Sequence, residues 1–208
     1  MTKFQKVAVL ALMLVLPVLL WLFLKFFGQN QFDIPLYYPD GLDSLSDCQN
    51  NTAPHQANLS LTSLSGASFN EAALGGRATV VYFLPNDCAD TCLLVLEELA
   101  KLQNVFNAQP LVQIVAVAGN TNKDILQTLS QRFRAQPDTW KFLTGATPEM
   151  RRCQFALPLA GIAVSETLIL IDSQRQIRGY YTGTDPDEVD RLTVEMKILL
   201  SNISQSDS

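Results

Sequence analysis

Two cysteines four positions apart, Cys88 and Cys92, are the residues of this chain best suited to chemistry. Thiolates attack disulfides, and as soft ligands they hold ions such as Cu(I). The pair follows the apolar run 78–85, which reads as a buried strand, and precedes Leu93–Leu99, which reads as a helix. A helix N-terminus favours a thiolate through its unpaired N–H groups and its dipole. Asp87 and Asp90 pull the other way, because carboxylates beside a thiol raise its pKa. At i and i+4 the sulfurs can share one side of a helical segment, close enough to chelate an ion or to bridge. The bland alternative is a pair of small buried hydrophobes. The polar lead-in Asn86–Asp87 argues against it.

The surrounding elements follow from pattern. Residues 58–62 alternate like a short strand, and Ser65–Gly66 marks a turn. The strand at Val80–Leu84 leads through the Cys loop into a helix over 90–107. Residues 111–117 form a β-branched strand, and 122–133 a helix with Ile125, Leu126, Leu129 and Phe133 at helical spacing. Residues 140–145 read as a brief strand and turn. A short helix over 147–155 follows, with Thr147 as cap and Pro148 at its first position. Two strands, 167–171 and 177–181, flank a polar turn at 172–176. The closing helix opens with Asp185, Pro186 and Glu188 in a capping-box pattern, and Val189, Leu192, Met196 and Leu199 supply its apolar face. This order implies a thioredoxin-like α/β domain with a mixed sheet and helices on both faces, with the cysteines at the carboxyl end of a central strand.

The 208-residue chain has a net charge of -5 and no basic stripe, so nothing points to nucleic acid. Residues 7–24 are apolar apart from Pro17, long enough for a bilayer-spanning helix. Lys3 and Lys6 precede that run, which puts the N-terminus in the cytoplasm and the remainder on the outer side of the cytoplasmic membrane, facing the periplasm or exterior. A cleaved signal peptide would have a shorter apolar run and a small-x-small cleavage site. The expected organisation is a stub and transmembrane anchor at 1–27, a linker at 28–57, the domain at 58–201 and a flexible tail at 202–208. Apolar linker residues such as Ile34 and Tyr37 could dock onto the domain. Outside the cytoplasm, leftover thiols tend to pair. A disulfide is therefore considered for Cys48 with Cys153 as well as for Cys88 with Cys92, against the alternative of free thiols.

The strings Trp140-Lys141-Phe142-Leu143-Thr144-Gly145, Leu170-Ile171-Asp172 and Ile177-Arg178-Gly179-Tyr180-Tyr181-Thr182-Gly183-Thr184-Asp185, with the Cys-x-x-x-Cys pair, resemble the Sco/SenC family. That resemblance implies a membrane-anchored, thioredoxin-like protein assisting assembly of the copper site of cytochrome c oxidase, through Cu(I) binding, thiol–disulfide exchange or both. It carries the family's cysteines onto Cys88 and Cys92, as redox residues and as copper ligands. The implied partners are a respiratory oxidase subunit, or another thiol protein, and the membrane. The family's third copper ligand is a histidine just before the strand 168–171, where this chain has Val164-Ser165. Candidates to replace it are Cys153, Met150 and His55, the last being the sole histidine. Two other functions stay open: a binding module with a structural disulfide, and a thiol peroxidase.

Overall fold

The computed structural model describes residues 3–27, 34–37, 60–119, 123–157 and 161–206. The chain divides into two compact units, Met1–Asp33 and Ile34–Ser208.

The first unit holds helix α1, Lys3–Phe27, 25 residues with Pro17 inside it. At 1.5 Å per residue it is about 37 Å long. Its described side chains from Leu12 to Phe23 are apolar and exposed. Among the described residues no helix is long and apolar enough to cross a membrane, so the expected transmembrane segment is not shown. The side chains at 7–11 and 24–27 lie outside that set.

The second unit is built on a seven-stranded mixed sheet. Its strands are β1 (Ser60–Ser63), β2 (Ser68–Asn70), β3 (Ala78–Phe83), β4 (Val112–Ala118), β5 (Trp140–Thr144), β6 (Thr167–Ile171) and β7 (Ile177–Thr182), in the order β2-β1-β5-β4-β3-β6-β7. Strands β3, β4 and β5 run parallel; β6, β7, β1 and β2 pair antiparallel to their neighbours. Every residue of β3 and β4 is buried, the polar Thr79 and Gln113 included, as befits central strands of a sheet covered on both faces.

The pleat sends alternate side chains into two cores. Val80 and Tyr82 join helices α2 (Asp90–Val105), α3 (Lys123–Arg132) and α5 (Pro186–Ser206), packing with Leu96, Leu126 and Leu192. Val81 and Phe83 face the other way, onto α4 (Pro148–Phe155) and a 3-10 turn at Glu71–Leu74. The thioredoxin-like α/β fold with a mixed sheet and helices on both faces is thus present.

Several local expectations change. Strand β2 and the 3-10 turn after it have no counterpart in the sequence reading. Ile125 is half exposed rather than core, while Leu126 and Leu129 are buried. Thr147 caps α4 as expected, accepting from the Met150 N–H at 3.0 Å. At the start of α5, Asp185 Oδ1 accepts from the Asp187 N–H, but the reciprocal half of the capping box is absent. The Asp185 N–H donates to Thr182 O instead, and Glu188 turns to Arg191 at 2.7 Å. Helix α5 continues to Ser206, beyond the residue where the reading ends it. From the expected linker, Ile34 is buried and the Tyr37 N–H donates to Ile177 O at 3.1 Å. Tyr37 meets Tyr180 edge to face, so this segment does pack on the domain.

Candidate redox site

The chain leaves the sheet at the carboxyl end of β3. The Leu84 N–H still bonds Val117 O at 2.8 Å; Pro85–Cys88 then form the loop, and α2 begins at Asp90. Cys88 and Cys92 are joined in a disulfide, with their Cα atoms 5.1 Å apart. The separation lies within the range a disulfide spans without moving the backbone. Cys88 precedes the N-cap, Ala89, and Cys92 is the third residue of the helix. Ala89 has no side-chain oxygen, and no side chain caps this helix. The first-turn N–H groups are thus left without the acceptor a Ser or Asp would bring, and that end of α2 is favourable to a sulfur anion.

The two sulfurs differ in access. Cys92 is 2% exposed and packs into the core of its face, whereas Cys88 is half-buried at the rim. Cys88 is thus the more accessible residue of the pair.

The wall beside α2 is a 3-10 turn at Val164–Glu166. The Tyr82 hydroxyl donates to Ser165 O at 2.8 Å, and the Gly183 N–H donates to Glu166 O at 2.6 Å. A Cβ on Gly183 would lie 3.0 Å from both Val95 and Leu168, so glycine lets the exit of β7 close against α2 and β6. Burial, and then the nearby Glu166 carboxylate, push the Tyr82 hydroxyl well above the usual phenol range, so it stays a donor. Across the loop, a Cβ on Gly119 would meet Ala146 O at 3.3 Å and Asn86 Oδ1 at 3.8 Å, so the loops after β3, β4 and β5 converge here. The sequence reading missed Tyr82, Glu166, Gly119 and Gly183. Tyr82 alone was traceable, through its period-2 relation to Val80.

The two sequence-predicted cysteines come together as a pair. Of the expected replacements for the missing imidazole, Met150 and Cys153 do not join them. Met150 and Cys153 lie on α4, and Met150 belongs to the core on the opposite face of the sheet. Cys153 is itself disulfide-bonded, which removes it as a free ligand. His55 and Cys48 lie outside the described residues. Among the described residues no group of three His, Cys, Asp or Glu side chains could hold a metal ion.

The strings that carry the family resemblance serve packing and turn closure here. Trp140 and Phe142 stack at 5.3 Å in the core. Asp172 is buried and closes the β6–β7 turn, accepting from the Gln174 and Gln176 N–H groups and from Arg178 Nε at 2.6 Å. The Tyr181 ring lies across Gly179, where any Cβ would strike it, and its hydroxyl donates to Glu195 of α5 at 2.5 Å.

A model of the SCO1/SenC family matches residues 48–198. The chain belongs to this family. Similar solved structures agree on the Sco fold. A SCO1/SenC family lipoprotein from Bacillus anthracis str. Ames has TM-score 0.60 and 21% identity, covering 70% of this chain and 95% of that one. BsSco, described as a Sco-family cytochrome c oxidase assembly protein with a disulfide switch, gives 0.58 and 16%, covering 69% and 92%. Yeast Sco1 gives 0.51 and 18%, covering 69% and 98%. No curated protein matches the chain by sequence.

Proposed function

We propose that this chain is a membrane-anchored Sco protein that assists assembly of the copper site of cytochrome c oxidase by thiol–disulfide exchange at Cys88 and Cys92. The observation that carries the reading is the disulfide between a half-buried Cys88 and a buried Cys92 at an uncapped helix N-terminus. In the reducing direction, the Cys88 thiolate attacks a partner disulfide, one partner thiolate leaves, and a mixed disulfide forms. The Cys92 thiolate then attacks the Cys88 sulfur, the second partner thiolate leaves, and the Cys88–Cys92 bridge is restored. Two electrons pass from the pair to the partner, and a separate thiol reductant must reopen the bridge. The description of BsSco as carrying a disulfide switch supports the same reading.

Copper is treated as cargo. Reduced, Cys88 and Cys92 supply two soft thiolates, a donor set that suits Cu(I). The imidazole that would complete a third position is replaced at Val164–Ser165, on the turn beside α2. Cu(I) held by two sulfurs is therefore the copper chemistry open to this site, and exchange is its principal use.

Helix α1 is read as the anchor, with Lys3 and Lys6 on the cytoplasmic side and the domain beyond the outer face of the cytoplasmic membrane. The disulfide at Cys153 is read as a pairing with Cys48, which would tie the segment before β1 to α4.

Copper transfer and exchange are separable in the full chain held in detergent. The reduced protein is titrated with Cu(I) against a competing chelator, in parallel with Cys88→Ser and Cys92→Ser. Competitive binding lost in both variants supports copper handling; no competition by the parent protein removes copper and leaves exchange alone. Exchange is tested by incubating reduced Cys92→Ser with a disulfide-bonded substrate peptide. A mixed disulfide at Cys88 is expected, and its absence refutes the proposed order of attack.

A further inference from the structure

The end of the sheet away from the cysteines carries a cleft of about 960 Å³ that the redox reading does not use. It lies at the amino ends of β3, β4 and β5, against the 3-10 turn before β3. Arg77 and Lys141 line it, both half-buried, with Asp138 exposed at its edge. Lys141 Nζ donates to Asp138 O at 3.1 Å, which leaves further N–H donors on the same ammonium. Arg77 is close enough to disfavour the charged form of Lys141, after the larger effect of burial itself. Two like charges lining one partly desolvated wall repel, and the Asp138 carboxylate acts on Lys141 less than Arg77 does, so an added anion is favoured.

The third feature is Gln113, 1% exposed, on β4. Its Nε2 is fixed by two acceptors, Ala73 O at 2.7 Å and Thr79 Oγ1 at 2.9 Å. That assignment leaves Oε1 as a buried acceptor with no hydrogen bond, on a residue that lines the cleft. A buried acceptor without a donor costs about 1–3 kcal/mol, so it calls for one. The cleft therefore combines a pair of cations with a neutral acceptor. A fully deprotonated anion satisfies the cations alone, and a neutral donor satisfies only the amide.

We propose that this cleft binds a small oxyanion that still carries a proton, of the hydrogenphosphate type. Its anionic oxygens accept from Arg77 and Lys141, and its hydroxyl donates to Gln113 Oε1. This predicts discrimination between two tetrahedral dianions of similar size. Hydrogenphosphate brings a donor at neutral pH and sulfate brings none.

The test is calorimetric titration of the full chain in detergent with inorganic phosphate and, separately, with sulfate. Saturable phosphate binding, about tenfold or more tighter than sulfate, is the expected result, since a hydrogen bond to a charged group is worth that much. Arg77→Gln and Lys141→Met should each weaken phosphate about tenfold or more while leaving thermal melting and Cys88–Cys92 exchange unchanged. Where melting shows one of them misfolded the other carries the test, and Arg77→Lys, which keeps the charge, should retain most of the affinity. Absence of saturable phosphate binding, or binding that both charge-removing variants leave intact, overturns the site. Equal affinity for sulfate overturns the role given to Gln113.

Discussion

Cys88–Cys92 and the disulfide-bonded Cys153 lie at helices covering opposite faces of the sheet, and these cysteines differ in exposure and in helix position. Cys88–Cys92 spans a loop and the first turn of α2, with one sulfur at the rim and helix N–H groups beside it. Cys153 sits within α4, 7% exposed, on the helix whose Met150 and Phe155 pack into the core of the other face. On the proposed function, the first bridge is opened and remade and the second holds. Sequence spacing alone does not separate these roles. Access and helix position do.

The contrast can be broken most sharply by removing the reactive sulfur. Cys88→Ser should abolish exchange with a disulfide peptide, by at least about 10³-fold on the scale of losing a nucleophile. Comparable residual turnover through Cys92 would erase the assigned asymmetry. Cys153→Ser should do the reverse: a loss of about 2–4 kcal/mol in chemical denaturation, with the exchange rate within about twofold of the parent. A large fall in exchange with intact stability would show the two bridges to be coupled. Gly183→Ala places a methyl 3.0 Å from the Val95 and Leu168 side chains, which must give by a few tenths of an ångström. It should cost about 1–3 kcal/mol and also move the Cys88–Cys92 potential, because Val95 and Cys92 share one helix. The smallest effect expected is alkaline. Tyr82 is held protonated in the fold above its ordinary value of 10.0, so the stability it contributes is complete below that pH. It is lost as pH rises further, because the unfolded chain gives up the proton first. Tyr82→Phe should cost about 1 kcal/mol near neutrality and flatten part of that alkaline decline. Tyr181, also shifted upward, mainly by burial, keeps the rest.

Elements with a strong period were legible from sequence. Strand β3 and the face of α5 follow from unbroken or regularly spaced apolar residues, and so does the placement of Cys88 and Cys92 between strand and helix. Ser68–Asn70 was not legible, because a three-residue strand has too few positions to show alternation. The fate of Glu188 depended on a competing Arg191 three residues on, which a capping-box pattern does not weigh against backbone partners. Two of the third-ligand candidates, Met150 and Cys153, failed for a topological reason: their helix, α4, packs on the face opposite Cys92. The cleft was invisible for a similar one. Arg77, Gln113 and Lys141 are far apart in the chain and meet only because β3, β4 and β5 are neighbours in the sheet.

The central claim is that Cys88–Cys92 is an exchanging pair. The direct measurement is its reduction potential in the full chain, by equilibration in dithiol buffers followed by alkylation and mass analysis of the peptide carrying both cysteines. The account predicts a midpoint above about −300 mV, within reach of biological thiol exchange. A midpoint below that value, with the bridge resisting reduction as a structural disulfide does, would contradict it.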